Sequence, residues 1–317
     1  MGKLAVVAIG GNAILKPHEE GSYEDQMNNI KSASLHIANL VKKGYNVVIT
    51  HGNGPQVGNI LLKNEMAEGA APAMPMDVCV AESQGQLGYM IQQNMINTLG
   101  DLGISANISS LITQVVVDEN DHAFESPTKP VGPYYSEDEA QRLSREKGWM
   151  MMEDKARSGY RRVVASPSPL EIVEKKVIAD LVRSPNGNNI VITLGGGGVP
   201  VIRSGSGFSG VEAVVDKDLA SQLLASYIKA DLFIMLTDVE QVALNFGKPS
   251  EENLSTITVT DAKKYLKEGH FPPGSMGPKI LAAIKFVEEN EKAVIITRSE
   301  KLEDALDNKA GTCIVSG

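Results

Sequence analysis

The chain has 317 residues, of which 42% are apolar and only 5% aromatic, so it predicts an aliphatic core in about two domains or one two-lobed α/β unit. Acidic residues number 39 and basic residues 30, and a nucleic-acid or anionic-membrane surface is not expected because it needs a positive stripe. No apolar stretch approaches the roughly 18 residues of a membrane span. Cys79 and Cys313 have no Cys or His partner at metal-ligand spacing. We expect a soluble protein of a reducing compartment, the cytoplasm.

Short runs rich in Val and Ile alternate with longer amphipathic stretches, a pattern that indicates parallel strands joined by helical crossovers. The predicted strands are 3–9, 47–50, 190–194, 232–236 and 293–297. The predicted helices are 23–43, 56–67, 77–99, 169–183, 217–229 and 278–290. We therefore expect an α/β fold around a mostly parallel sheet.

Residues 118–166 break this alternation with a polar segment that contains the only tryptophan, Trp149. The segment predicts a small subdomain or a lid, and the alternative is a surface loop. Lys129 lies between two prolines in PTKPVGP, and the prolines restrict the backbone on both sides. This stiff presentation of a lysine favours a functional role.

Glycine-rich loops follow three of the predicted strands, where open α/β sheets place ligands. The loop GGN at 10–12 follows the first strand, and GNG at 52–54 follows the second. Exposed backbone N–H groups in such loops bind anions, although each loop alone is also compatible with an ordinary turn. GGGG at 195–198 follows a third strand and predicts either ligand contact or a close backbone crossing.

Two further lysines lie at helix starts, where the helix dipole disfavours a cation unless an anion or an acidic neighbour compensates. Lys217 lies between Asp216 and Asp218, one of which suffices to cap the helix, and Lys279 follows GSMGP. The segment 237–242 follows a predicted strand and is either a nucleotide contact or a plain turn. Together with Lys129, these groups predict a site for a phosphoryl group in transfer.

Other motifs carry less information. No G-x-x-x-x-G-K-[ST] sequence occurs, so a P-loop is absent. A G-x-G-x-x-G string at Gly205, Gly207 and Gly210 is followed by the β-branched run VEAVV and predicts a hairpin turn instead of a dinucleotide loop. His51 adjoins the GNG loop and is a possible substrate contact, whereas the other four histidines are expected on the surface.

The chain resembles the carbamate kinases of the amino-acid kinase superfamily along its whole length. The motifs that carry the resemblance, in chain order, are AIGGNA, THGNGPQVG, SQGQLGY, PTKPVGP, SPSPLEI, GGGGVPV, DKDLAS, LTDVE and GSMGPK. Many superfamily members have a lysine where this chain has Ala8, and in carbamate kinases the lysine of the PTKP segment is thought to replace it. That lysine is Lys129 here. Ala165 stands where the family more often has proline.

The resemblance implies a three-layer α/β/α sandwich with a protruding subdomain at about 118–166. It implies an N-terminal lobe, 1–185, for carbamate or carbamoyl phosphate and a C-terminal lobe, 186–317, for ATP or ADP. It also implies a cytoplasmic homodimer that transfers phosphate reversibly, usually toward ATP in fermentative arginine breakdown. The alternatives are a kinase for another carboxylate, such as glutamate or N-acetylglutamate, and a nucleotide-binding regulatory module without activity.

The site prediction follows from the motifs and the resemblance together. We expect the catalytic residues to be Lys129, Lys217, Lys279, Asp216 and Asp218. We expect backbone amides to hold the substrate at Gly10, Gly11, Asn12, Gly52, Asn53 and Gly54. We expect the nucleotide at Gly196, Gly197, Thr237, Asp238, Met276, Gly277 and Lys279. No protein ligands for a metal are predicted, because Mg²⁺ should be carried by the nucleotide phosphates.

Overall fold

The computed structural model of the chain describes residues 2–16, 19–154, 159–185, 187–272 and 274–317. The strands are β1 Lys3–Ile9, β2 Tyr45–His51, β3 Ala106–Ser110, β4 Gln114–Val116, β5 Lys129–Tyr135, β6 Met150–Asp154, β7 Gly159–Val164, β8 Glu171–Ile172, β9 Asn188–Thr193, β10 Val199–Ser204, β11 Gly207–Gly210, β12 Leu232–Leu236, β13 Val242–Leu244, β14 Glu252–Leu254, β15 Thr256–Thr258, β16 Val294–Thr297 and β17 Thr312–Val315. The α-helices are α1 Gly11–Ile14, α2 Tyr23–Lys42, α3 Gly54–Met66, α4 Met76–Asp101, α5 Glu137–Lys147, α6 Lys175–Val182, α7 Lys217–Tyr227, α8 Val259–Lys267, α9 Met276–Asn290 and α10 Leu302–Leu306.

The central sheet contains eight strands in the order β15-β17-β16-β12-β1-β2-β9-β3. All neighbours in it are parallel except β16 and β17. The central strand β1 pairs with both neighbours, and Val7 is in register with Ile234 of β12 and with Ile49 of β2. Because parallel strands end at one edge of a sheet, the loops after β1, β2, β9 and β12 lie close together.

Alternate residues of β1 pack on opposite faces of the sheet. Val6 and Ala8 belong to a buried aliphatic cluster that includes residues of α7 and α9. Val7 and Ile9 belong to a second cluster, which includes residues of α2 and α4. A strand that is buried on both faces is typical of a parallel sheet covered by helices on both sides. The structure confirms the predicted three-layer α/β/α sandwich.

Local signals explain where the helices begin. Before α2, the Ser22 hydroxyl accepts a hydrogen bond from the Asp25 N–H, and the Asp25 carboxylate accepts one from the Ser22 N–H. This reciprocal capping box satisfies two N–H groups that a helix start leaves without partners. Ser136 and Glu139 form the same arrangement at the start of α5. Among the described ranges, no helix has the length and apolar character needed to cross a bilayer.

The described part of the segment 118–166, called the subdomain below, contains β5, β6, β7 and α5. Its three strands make an antiparallel sheet in the order β5-β7-β6, separate from the central sheet, and α5 packs on this sheet. Lys129 is the first residue of β5 and pairs with Val164 of β7. The subdomain therefore presents Lys129 at one end of a strand, with a paired neighbour on β7.

A four-stranded sheet, β11-β10-β4-β8, lies outside the central sheet. The antiparallel pair β10 and β11 confirms the predicted hairpin, since Ser204 pairs with Gly207 across the turn. The helix predicted over 169–183 is wrong in its first part, because Ile172 of β8 pairs with Val115 of β4. That segment completes a sheet edge, and α6 begins only at Lys175.

Candidate active site

A cavity of about 410 Å³ lies at the carboxyl ends of β1, β2 and β12, in the size range of small-molecule sites. The helices α3, α7 and α9 also begin beside it. Most residues of the predicted site line this cavity, namely Gly10, Gly11, Gly52, Asn53, Gly54, Lys129, Gly196, Asp216, Lys217, Asp218, Thr237, Asp238, Met276 and Lys279. Gly197 and Gly277 are not among the lining residues.

Asp218 joins two mostly buried lysines that line the cavity. Lys217 Nζ donates to Asp218 Oδ1 at 2.6 Å, and Lys279 Nζ donates to Asp218 Oδ2 at 2.8 Å. The Asp218 side chain is only 5% exposed, and each lysine side chain is 11% exposed. One carboxylate neutralises one of the two ammonium charges, so a positive charge remains beside the cavity. A buried charge of this kind is costly unless an anion accompanies it, and the site is therefore suited to an anionic group.

The pKa values of the cluster follow from burial and from the neighbouring charges. Burial alone raises the pKa of the Asp218 carboxyl, but the ammonium groups of Lys217 and Lys279 outweigh it and lower that pKa to about 2. Burial also lowers the pKa of Lys217, and the charge of Lys279 adds to this change although Asp218 opposes it. Asp218 is therefore a carboxylate at neutral pH and fixes both lysines as hydrogen-bond donors.

Lys129 reaches the same cavity from the subdomain. Its Nζ lies 3.5 Å from Asp216 Oδ2, and its side chain is 35% exposed, against 17% for Asp216. Asp216 Oδ1 accepts a hydrogen bond from the Asp218 N–H at 2.9 Å, so one oxygen caps α7 while the other faces Lys129. The cap confirms the expected role of an aspartate at this helix start. Three lysines that are distant in sequence thus face one cavity.

The GGN and GNG loops approach each other at the edge of the sheet, as their positions after neighbouring strands predicted. A Cβ atom placed on Gly52 would lie 2.9 Å from the Gly11 nitrogen. The amides of Gly10 and Gly52 are not free, however, because Gly10 N–H donates to Leu236 O and Gly52 N–H donates to Ile9 O, each at 2.9 Å. The expectation that these two amides bind substrate is corrected, since they extend the hydrogen bonding of the sheet.

Other groups of the two loops retain the predicted position. Gly11 opens α1 and Gly54 opens α3, and the first N–H groups of a helix have no partner within it. The Asn53 side chain is buried and donates to the Ser83 hydroxyl at 2.7 Å, which fixes it in place. The backbone of Asn12 belongs to α1, whereas its side chain lies outside the described residues.

The four glycines at 195–198 form a turn that has no room for side chains. Gly196, Gly197 and Gly198 have positive φ, as does the buried Leu194 before them. Gly196 lines the cavity, whereas Gly197 lies against the backbone oxygen of Val215, so its predicted contact with nucleotide is replaced by a close backbone crossing. A Cβ atom added to Gly195 would lie 2.6 Å from His51 Cε1, and one added to Gly196 would lie 2.1 Å from Asn53 Nδ2. A Cβ atom added to Gly197 would lie 2.3 Å from Val215 O, and one added to Gly198 would lie 2.4 Å from Val115 Cγ2.

The predicted nucleotide residues divide in the same way. Thr237, Asp238 and Met276 line the cavity. Gly277 does not line the cavity. Its N–H donates to Pro272 O at 2.8 Å and is therefore not free to bind a nucleotide. Sequence reasoning missed five further residues that line the cavity, most of them apolar, namely Ala243, Phe246, His270, Phe271 and Pro272. These residues carry no motif, and only the fold brings their segments together.

Two of the described histidines differ from the expectation, and His18 lies outside the described residues. His270 was expected on the surface but is half-buried, lines the cavity and stacks edge-on against Tyr265. His51 does not line the cavity and is buried behind the loop that follows it, with Nδ1 3.0 Å from Gly52 O. Burial lowers the pKa of His51 to about 4, and the charge of Lys217 contributes to the shift. His51 is therefore neutral at pH 7 and donates from Nδ1 to Gly52 O.

The donor set of the site bears on how a metal ion fits. Within the described ranges, no three acidic, histidine or cysteine side chains are grouped as metal ligands. The two aspartates nearest the lysines, Asp216 and Asp218, already face ammonium groups. The site therefore fits a Mg²⁺ ion held mainly by phosphate oxygens and water, which is the coordination this ion prefers.

Comparison with known proteins agrees with this geometry. The profile of the amino acid kinase family matches residues 3–298. A carbamate kinase of Thermococcus kodakarensis is 50% identical over 316 residues, which cover 99% of each chain, and one of Pyrococcus furiosus is 50% identical over 99% of this chain and 100% of its own. The structure of a carbamate kinase from Giardia lamblia bound to AMP-PNP is similar with a TM-score of 0.93 and 45% identity, over 100% of this chain and 99% of the other. The chain therefore belongs to the amino acid kinase family, and within it to the carbamate kinases.

Proposed function

We propose that this chain catalyses the carbamate kinase reaction, in which a phosphoryl group moves reversibly between ATP and carbamate to give ADP and carbamoyl phosphate. The observation that carries the proposal is the convergence of Lys129, Lys217 and Lys279 on one cavity. In phosphoryl transfer, negative charge spreads over the equatorial oxygens of the moving group, and fixed cations stabilise it. The relatives named carbamate kinase, at 50% identity over nearly the whole chain, support the same chemistry here.

The lining of the cavity suggests how the two substrates lie. The apolar part, with Ala243, Phe246 and Phe271, offers surface for the base of a nucleotide. Gly11 and Gly54 also line the cavity, and they offer the N–H groups of two helix starts for a small carboxylate. We infer that the nucleotide phosphates extend from the apolar part toward the lysines, and that carbamate lies beside Gly11 and Gly54.

The transfer step needs no nucleophile from the protein. A carbamate oxygen forms a bond to the γ-phosphorus of ATP while the bond from that phosphorus to the β–γ bridging oxygen breaks, and ADP leaves with that electron pair. Lys217 and Lys279 are fixed by Asp218 and donate to the oxygens of the moving group without reorganising. Lys129 adds a third charge from the subdomain side, next to Asp216. A bound Mg²⁺ would supply further neutralisation of the phosphate charge.

The test is a coupled assay for ATP formation from ADP and carbamoyl phosphate. ATP should form with carbamoyl phosphate, and ADP formation in the reverse direction should require carbamate. Glutamate and N-acetylglutamate serve as acceptors in parallel reactions, because a kinase for another carboxylate would use one of them. ATP binding without turnover of any acceptor would instead identify a regulatory module and overturn the proposal.

Further properties of the proposed enzyme follow from the family resemblance. We expect a cytoplasmic homodimer that works mainly toward ATP, as in fermentative arginine breakdown. Sedimentation of the purified chain tests the dimer, because a monomer at micromolar concentration contradicts it. The assignment of 1–185 to the carbamate side and 186–317 to the nucleotide side is tested by binding each ligand to variants of these two sets of lining residues.

A further inference from the structure

The strand β5 of the subdomain lies alongside α3 of the main body, and both elements begin at the cavity. The first residues of each, Gly54 of α3 and Lys129 of β5, line the cavity. Halfway along, Gly58 meets Gly132, and a Cβ on Gly58 would lie 3.5 Å from Gly132 Cα. At the far end of the pair, Tyr135 of β5 contacts Glu65 of α3. The strand and the helix therefore run in the same direction, in contact along their length.

The contact at the far end fixes how far β5 extends along α3. The Tyr135 hydroxyl lies 2.9 Å from one Glu65 oxygen and 3.1 Å from the other, so it donates to the carboxylate. Burial, and then the hydrogen bond to Glu65, raise the pKa of Tyr135. The hydroxyl therefore keeps its proton and its donor role through the neutral and mildly alkaline range.

A second link in the same region is weaker. Lys147 at the end of α5 lies 2.9 Å from Glu68, whose side chain is 65% exposed. Exposed ion pairs of this kind contribute little to stability, because water screens the two charges. Val131 of β5 also belongs to one buried apolar cluster with Val57, Ile60 and Leu61 of α3, but apolar packing has no directional bond. The half-buried bond between Tyr135 and Glu65 adds a directional contact at the far end of the pair.

We propose that Tyr135 and Glu65 are positioning residues for phosphoryl transfer, because their hydrogen bond sets the place of Lys129 in the cavity. The inference rests on the proposed function, in which Lys129 contacts the moving phosphoryl group. Neither Tyr135 nor Glu65 lines the cavity or contacts any of the three lysines within the described ranges. They act through β5, one end of which they hold while Lys129 occupies the other.

The experiment combines Tyr135→Phe with Lys129→Ala in a double-mutant cycle, measured as kcat and KM for ATP formation. Tyr135→Phe removes only the hydroxyl, and kcat should fall about 10- to 100-fold, since a displacement of 1 Å at a catalytic group costs about 10²-fold. The KM for ADP should stay unchanged, because neither Tyr135 nor its hydroxyl lines the cavity. In the Lys129→Ala background, Tyr135→Phe should have no further effect.

Two variants serve as controls. Tyr160 stands opposite Tyr135 in β7, and its hydroxyl has no hydrogen-bond partner in the part of the chain that the structure describes. Tyr160→Phe should therefore leave kcat unchanged. Glu65→Gln keeps an acceptor oxygen and should retain most of the activity, whereas Glu65→Ala should match Tyr135→Phe.

The outcomes separate this inference from the proposed function. If the wild-type chain forms ATP and Tyr135→Phe retains its kcat, or lowers kcat equally with and without Lys129, the positioning role is wrong although the function stands. If the wild-type chain forms no ATP, the proposed function fails, and amide hydrogen exchange across Lys129–Tyr135 then decides the structural claim. Faster exchange in Tyr135→Phe than in Tyr160→Phe supports the role of the bond, and equal exchange overturns it.

Discussion

The site combines two kinds of cation, one fixed inside the main body and one delivered by the subdomain. Lys217 and Lys279 are nearly buried and share the carboxylate of Asp218. Lys129 is a third exposed and faces Asp216 across 3.5 Å. Because the effective dielectric falls with burial, Lys217 and Lys279 depend strongly on the charge of Asp218. The ion pair between Lys129 and Asp216 is more exposed and resembles a surface ion pair. If the proposed mechanism is right, changes in the buried cluster should alter both activity and stability, whereas changes at Lys129 should alter activity alone.

The largest effect should follow from Asp218→Asn, which removes the negative charge between two buried ammonium groups. Breaking a buried pair from one side costs about 3–5 kcal/mol, so the free energy of unfolding should fall by that amount. Urea unfolding at pH 7 measures the change, and turnover should be lost as well. A variant of unchanged stability would show that Asp218 does not compensate the lysines.

The pH dependence of stability tests whether the buried environment of His51 disfavours an additional positive charge. The pKa of His51 is lowered to about 4, so between pH 6.5 and 4 the unfolded chain binds a proton that the folded chain does not. The free energy of unfolding should therefore decrease as pH falls through this range, by about 3 kcal/mol in total. In His51→Gln this part of the pH dependence should disappear, whereas the exposed His122→Gln should retain it. Urea titrations at several pH values make the measurement.

Lys129→Ala tests the more exposed cation, which the subdomain contributes to the site. The loss of one donor to the transition state should lower kcat about 100-fold, equivalent to about 2.7 kcal/mol. The free energy of unfolding should change by no more than about 1 kcal/mol, since the lysine is partly exposed. Steady-state kinetics and urea unfolding on the same preparation separate the two effects. Turnover at the wild-type rate would remove Lys129 from the mechanism.

The smallest effect should follow from Asp216→Asn. Asparagine caps helices about as well as aspartate, so α7 should keep its start and stability should change by less than about 1 kcal/mol. Lys129 would lose its partner but not its charge, and kcat should fall less than in Lys129→Ala. A rate loss equal to that of Lys129→Ala would mean that the aspartate is needed to hold the lysine.

Sequence patterns predicted the regular part of the fold well because its signals are local. The strands Lys3–Ile9 and Leu232–Leu236 have the predicted bounds, since each contains a run of at least five apolar residues that is followed by a polar or glycine residue. The polar edge strand Ala106–Ser110 was missed, because its partner β9 and not its composition makes it a strand. The pairing of Glu171–Ile172 with β4 was missed for the same reason.

The site was predictable only in part. Motifs identified the lysines and the glycine loops, and the fold brings these groups to one cavity. The hydrogen bonds that occupy the amides of Gly10 and Gly52 depend on strands from elsewhere in the chain. The bond between Tyr135 and Glu65 likewise joins segments 70 residues apart, and neither residue belongs to a recognisable ligand motif. Long-range pairing of this kind leaves no pattern in a single sequence.

At the glycine turn 195–198, neighbouring segments pack directly against backbone that carries no side chains. Each of its residues abuts a different segment of the chain, through His51, Asn53, Val215 and Val115. A single methyl group would displace the end of β2, the GNG loop, the residues before α7 or strand β4, depending on where it was added. The distance between the GNG loop and the start of α7 thus depends on the absence of side chains at one turn, and a comprehensive mutational scan should find these positions among the least tolerant in the chain.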